Sequence, residues 1–286
     1  MTHAGPCSSH YAIDLHIHTT ASDGQYAPAE VVRLAQTLGL TAIGITDHDT
    51  TDGIEEALTA AKGTALQVIP GLEISTDIPR SEVHLLGYYV AYREPSFQAK
   101  LALFRDSRLN RAQRMVAKLA RMGLPLEWRR IRQIAGAASV GRPHIARALV
   151  EKGYVGSIDE AFDRYINRNG PAYVERMKVS PVEAVQLILE AGGIPVLAHP
   201  LYESHLVPEL ARHGLVGVEA YYNGYTPDEI QFLVSLAAKH GLLVTGGSDF
   251  HGEEIQPNHL LGSVIVPQVA VTSLEACHQA RSRRDA

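Results

Sequence analysis

Short runs rich in β-branched residues alternate with amphipathic helical patterns in the first third and the last third of the chain, and a long helical pattern separates the two. The runs read as strands at residues 12–18, 42–46, 67–74, 83–90, 194–198, 217–220 and 242–246, with an eighth at 263–266. Such alternation predicts βα units and a mainly parallel sheet. Ser180-Pro-Val-Glu183, Thr226-Pro-Asp-Glu229 and Thr272-Ser-Leu-Glu275 each set a cap residue three positions before a glutamate, which predicts helix starts. The interval 75–82 is too short for a crossover helix, so the third and fourth strands are expected to pair antiparallel inside an otherwise parallel barrel. Between the two βα parts, Leu101, Phe104, Leu109, Met115, Val116, Leu119 and Met122 recur at helical spacing, which predicts an inserted helical subdomain.

With 286 residues and 45% hydrophobic content, the chain can build one large core with an insertion, which excludes disorder as its main state. No run of 18 apolar residues occurs, so no membrane span is expected. The first residues show neither a basic region nor an apolar block, and Cys7 and Cys277 make no disulfide framework. A cytoplasmic protein without a disulfide-linked partner is the expectation. The net charge of −5 hides an asymmetry: residues 94–178 hold 17 Lys or Arg against 8 Asp or Glu, a charge of +9, which leaves −14 on the rest. The 14 histidines are the unusual count.

Their positions carry the chemistry. His16 and His18 on the first strand project to one face, because strand side chains alternate. The second strand runs into Thr46-Asp47-His48-Asp49, the third carries Glu73, the fourth His84, the fifth leads into His199 and the seventh into Asp249-Phe-His251. In a parallel barrel these strand ends form one rim, where such folds place their chemistry. With Asp23 the rim collects six imidazoles and three carboxylates, a set too costly to bring together without cations. Several divalent ions are implied, and nitrogen and oxygen donors without thiolate suit Zn, Mn or Fe. His3, His10, His205, His213, His240, His259 and His278 read as surface or capping residues. Glu219, after the sixth strand, reads as a supporting or structural residue.

Asp14-Leu-His16-Ile-His18-Thr-Thr-Ala-Ser-Asp23-Gly, Ile45-Thr-Asp-His48-Asp-Thr, His199-Pro200 and Asp249-Phe-His251 resemble the motifs of the polymerase and histidinol phosphatase (PHP) superfamily. Gly141-Arg142-Pro143-His144-Ile-Ala-Arg147-Ala-Leu is similar to the insertion of the branch that holds nucleoside 3',5'-bisphosphate phosphatases and 5'-to-3' exoribonucleases. The resemblance implies an α/β fold, a distorted seven-stranded (β/α) barrel built from residues 11–93 and 179–286, with a basic helical cap at 94–178. It implies two or three divalent metal ions. His16, His18, Glu73 and Asp249 would hold the first, and Glu73 would bridge to a second completed by His84 and His199. Asp23, His48 and His251 would hold a third and stand as the catalytic group. Some relatives carry histidine where Asp23 stands, so this chain offers an oxygen donor there.

Such a cluster suits phosphate ester hydrolysis by hydroxide formed on the cations, with no protein nucleophile. The expected substrate is a phosphorylated nucleotide or short RNA or DNA, drawn to the acidic rim by the cations and the basic cap. Pro143 favours a helix start, and Arg142, His144 and Lys178 are the residues expected to bind a second, non-reacting phosphate. Arg105, Arg108, Arg111, Arg114 and Arg147 read as a solvated helix face, and Asp47 and Asp49 as residues that orient His48 or hold its loop. Three alternatives stay open: a small-molecule phosphatase of the histidinol phosphatase type, a metal amidohydrolase cleaving C–N bonds, and a non-catalytic subunit binding metal or nucleic acid.

Overall fold

Seven strands form a single sheet in chain order in the computed structural model, which describes residues 13–78, 81–136, 140–175 and 179–283. They are β1 (Ile13–Ile17), β2 (Ala42–Ile45), β3 (Gln67–Ile78), β4 (Ser81–Tyr88), β5 (Ile194–Leu197), β6 (Gly217–Tyr222) and β7 (Leu243–Gly247). The pairs β1–β2, β2–β3, β5–β6 and β6–β7 are parallel, and β4 alone runs against both neighbours. The short 75–82 interval therefore acts as expected. Closure is nearly complete, because Phe250 beyond β7 bridges to Ile17, and the His18 N–H donates to the Phe250 carbonyl at 2.9 Å.

The helices are α1 (Pro28–Thr37), α2 (Ile54–Ala61), α3 (Pro95–Arg121), α4 (Trp128–Ala135), α5 (Arg142–Glu151), α6 (Ile158–Ala161), α7 (Pro181–Glu190), α8 (Val207–Arg212), α9 (Pro227–Lys239) and α10 (Val269–Ser282). A π-helical turn, Phe162–Ile166, continues α6. Apolar strand residues pack against these helices: Ile17, Ile43 and Ile45 meet Val31, Val32 and Ala35 of α1, while Ile74, Leu85 and Leu197 meet Val185 and Ile188 of α7. The helices between β4 and α7 gather round a separate apolar cluster that includes Met115, Leu119, Ile131, Ile145 and Leu149. Among the described residues no helix is long and apolar enough to cross a membrane.

Two expectations fail locally. Residues 263–266 form no strand, because β7 already borders β6 and its far side turns toward β1; Val266 instead packs, buried, with Ala270 and Leu274 of α10. Thr272 caps nothing: α10 starts at Val269, directly after Pro267 and Gln268, and the Thr272 hydroxyl bonds back to the Val269 carbonyl at 3.3 Å. The other two capping motifs form as read, with the Ser180 and Thr226 hydroxyls accepting from the Glu183 and Glu229 N–H groups.

Candidate metal centre

Local hydrogen bonds explain how the strand ends converge. Asp47 accepts from the Thr19 N–H at 2.7 Å, the Thr19 hydroxyl at 2.8 Å and the Ser22 hydroxyl at 2.6 Å, so it anchors the turn that delivers Asp23. Asp14 does the same on the other side, accepting from the Ser248 N–H at 2.9 Å and the Gly262 N–H at 2.8 Å and holding the loop that carries Asp249 and His251. His48 and Glu73 face each other across a parallel bridge beyond β2. In the β3–β4 ladder Ser75 lies opposite His84, which makes Glu73 and His84 diagonal neighbours on one face.

The result is one contiguous cluster. Glu73 sits at its centre, with Oε1 2.9 Å from His84 Nδ1 and 3.4 Å from both His16 Nε2 and His199 Nε2. Its Oε2 lies 2.9 Å from His48 Nδ1 and 3.3 Å from His18 Nε2. Asp249 Oδ1 is 3.3 Å from His16 Nε2 and 3.1 Å from His18 Nε2. Asp23 stands 3.5 Å from His251 Nε2 and 3.7 Å from His18 Nδ1, with His48 Nε2 at 4.0 Å. All nine residues singled out from the sequence are thus brought together. Three sets have donor atoms within 4.8 Å of one another: His18 with Asp23, His48 and His251; His16 with His18 and Asp249; His48 with Glu73 and His84.

These donors fit cations. Ligands at about 2.1 Å from one ion stand roughly 3.0 to 3.4 Å apart in octahedral or tetrahedral geometry, close to the 2.9–3.4 Å spacings around Glu73 and from Asp249 to His16 and His18, while the Asp23 set is wider at 3.5–4.0 Å. His16 Nε2, both ring nitrogens of His18, Asp23 Oδ1 and both oxygens of Glu73 are buried with no hydrogen-bond partner. Six orphaned polar atoms facing one another are costly unless something between them is bound. Burial alone would suppress the His18 imidazolium, yet the carboxylates of Asp249 and Glu73 hold its pKa up at about 10. Burial would likewise raise Glu73, but the rings of His84, His48 and His16 hold it well below the usual carboxylate range. For His48 burial wins and its pKa falls to about 4.

The rim is strained. Asp49, His199 and Asp249 adopt positive φ of 53°, 31° and 55°, three of the four non-glycine residues to do so among the described residues.

The contacts of several supporting residues emerge only in three dimensions. Glu219 bonds the His16 ring, and the Tyr222 hydroxyl donates to Asp249 Oδ2 at 2.9 Å. Asp49 contacts no cluster nitrogen; it accepts from the Ser75 N–H at 3.0 Å and from Arg108 Nε at 2.5 Å. Arg108 and Arg111 therefore do not lie on a solvated face. They turn into a cleft of about 410 Å³ between the cluster and the helical segment, which Asp23, His48, Glu73, His84, His199, Asp249 and His251 also line. Arg142 enters the same cleft and ion-pairs with Glu82, which Arg111 approaches at 3.4 Å. His144 is not among the lining residues. It is 5% exposed, and its Nδ1 accepts from the Gly141 N–H at 2.9 Å, so it caps the start of α5. Lys178 lies outside the described residues, as does Cys7.

Comparison with known proteins follows the same line. The PHP domain family model matches residues 14–165. A 5'-3' exoribonuclease of Haemophilus influenzae is 35% identical over 245 residues, 83% of this chain and 89% of its own. A 3',5'-nucleoside bisphosphate phosphatase of Chromobacterium violaceum is 33% identical over 252 residues, 84% of this chain and 87% of its own. Among solved structures, a protein of Bifidobacterium adolescentis named a putative metal-dependent phosphoesterase has a TM-score of 0.85 at 32% identity, over 93% of this chain and 96% of its own.

Proposed function

The chain belongs to the PHP domain family and is a metal-dependent phosphoesterase; from that premise we propose that it hydrolyses a phosphate ester of a nucleoside 3',5'-bisphosphate or of a short RNA 5' end. The observation that carries this reading is a single cleft with two kinds of wall, the histidine and carboxylate cluster on one side and Arg108, Arg111 and Arg142 on the other. A substrate with one phosphate needs only the first wall. A second phosphate could engage this wall alongside its pairs with Asp49 and Glu82, since planar guanidinium forks match phosphate oxygens. The relatives with nucleotide and RNA substrates support the same choice.

In this reading residues 11–93 and 179–286 form the catalytic barrel and residues 94–178 cover it. His16, His18, Glu73 and Asp249 would hold one ion, Glu73, His84 and His199 a second, and Asp23, His48 and His251 a third. Divalent Mn, Fe or Zn at these positions would lower the pKa of a water and offset charge on the phosphoryl oxygens. The protein side of the chemistry is placement. Asp23, His48 and His251 line the cleft where the reacting phosphate would lie. Arg142, at the first turn of α5, presents its remaining N–H groups to the second phosphate, and the helix start adds a favourable dipole end. His144 serves by capping that helix, and Lys178 is retained as a further phosphate contact.

Inorganic phosphate release should be measured on 3',5'-bisphosphorylated nucleosides, nucleoside monophosphates, 5'-phosphorylated RNA and cyclic amides with each divalent cation. His16→Ala and Asp249→Ala should lower bisphosphate turnover about a thousandfold, the loss of roughly 4 kcal/mol of transition-state stabilisation. Unchanged turnover in either variant, or turnover of the amides alone, would reject the reading.

A further inference from the structure

We propose that Glu219 is a positioning residue that sets two histidines of the cluster at once, fixing the tautomer of the His16 ring and pinning the backbone of His199. Glu219 lies on β6 and is 0% exposed. Its Oε1 and Oε2 stand 3.0 and 3.2 Å from His16 Nδ1, and its Oε2 also accepts from the His199 N–H at 2.8 Å. An ionised carboxylate only accepts hydrogen bonds, so Nδ1 must carry the hydrogen. Where the ring holds a cation it is neutral and has its lone pair on Nε2, the atom that faces Glu73 and Asp249 and has no hydrogen-bond partner. The second contact acts on a backbone in a rare conformation, the His199 φ of 31°. The Glu219 acceptor compensates that strained turn and keeps the His199 ring directed at Glu73.

The strand itself is shaped for this. The β6–β7 register shifts between Glu219 and Tyr221, an irregularity of the kind that re-aims side chains beside functional sites. Tyr222, just beyond it, reaches Asp249 with its hydroxyl. One strand thus supports a histidine ring, a histidine backbone and a carboxylate of the cluster, although none of its own residues is among the nine donors. Glutamine in place of Glu219 would offer one accepting oxygen and one donating nitrogen to two N–H groups, so one of them would meet a donor.

The inference rests on the cluster being a cation site and is independent of which ester is hydrolysed. Nitrogen NMR of zinc-loaded, 15N-histidine-labelled wild-type protein should show His16 protonated at Nδ1 and unprotonated at Nε2; an unprotonated Nδ1 overturns the proposal, and this readout needs no variant. Zinc content against a chelator series should show Glu219→Gln and Glu219→Ala losing zinc at about 10- to 100-fold lower chelator strength than wild type. Retention equal to wild type in both variants overturns the proposal, whatever their activity. If wild type holds zinc with the stated tautomer yet releases no phosphate, the substrate reading fails and the role of Glu219 stands.

Discussion

Asp49 and Arg108 tie the helical segment to the barrel rim, and breaking that pair should loosen both. Asp49 accepts from Arg108 Nε at 2.5 Å and from the Ser75 N–H at 3.0 Å, while Arg108 Nη2 donates to the Ser75 hydroxyl at 2.6 Å. The Asp49 and Arg108 side chains are only 3% and 14% exposed. Removing one member of a buried pair costs about 3–5 kcal/mol, because the remaining charge is left uncompensated. Arg108 keeps some access to water and the Ser75 hydroxyl, so the lower end applies: about 3 kcal/mol for Asp49→Asn, on the order of a hundredfold in the unfolding equilibrium. Asparagine tolerates the positive φ at this position, so the loss reports the pair and not the backbone. Arg108→Met should cost a similar amount, whereas the double variant should cost clearly less than the sum, with a coupling of roughly 1.5–2 kcal/mol. Urea unfolding of chelator-treated and cation-loaded protein measures all four corners of the cycle. The exposed pair Arg130 and Glu151 serves as the comparison and should couple negligibly. Additivity within about 0.3 kcal/mol for Asp49 and Arg108 would refute the docking role.

Arg142→Met should raise KM for bisphosphorylated nucleosides about 10- to 100-fold, as expected for loss of charge-assisted hydrogen bonds worth about 1.5–3 kcal/mol, and leave monophosphate KM nearly unchanged; steady-state kinetics on the two substrate classes checks this. Gly247→Ala should destabilise the protein by about 1–3 kcal/mol or more and lower its cation content, because a Cβ there would stand 2.4 Å from the His16 backbone nitrogen; thermal melts and elemental analysis read both. Burial pushes the His144 pKa below its ordinary 6.5, and its Nδ1 must stay unprotonated to accept from Gly141. Its contribution to stability is therefore present above pH 6.5 and lost as pH falls below that value. Unfolding of wild type and His144→Asn across pH 5–8 should show the gap between them narrowing toward acid, and a gap that widens toward acid would contradict this assignment.

The parts of the molecule legible in the sequence are those governed by local spacing. His16 and His18 share a face because side chains alternate along β1, and the closeness of Glu73 to His84 follows from an interval too short to hold a helix. Glu219 could be read only as supporting or structural, since its partners lie 203 and 20 residues away and a lone glutamate in a strand has no pattern that names them. Helical periodicity grouped Arg108 and Arg111 on a face, but periodicity says which residues share a face and not what that face meets. Residues 263–266 have strand composition without an open sheet edge to pair with, so composition misled where topology decided. The rim adds a constraint that no propensity expresses. Asp49, His199 and Asp249 hold positive φ at the ends of strands otherwise built from ordinary extended residues, and each such residue costs roughly 1–2 kcal/mol. Strain of that size persists only where surrounding contacts over-determine it. Here the contacts are the carboxylate of Glu219 on His199, the Tyr222 hydroxyl on Asp249 and the Arg108 guanidinium on Asp49. Each strained position therefore has its own partner from another element, which makes the precision of the cluster a property of the whole barrel and its inserted helices.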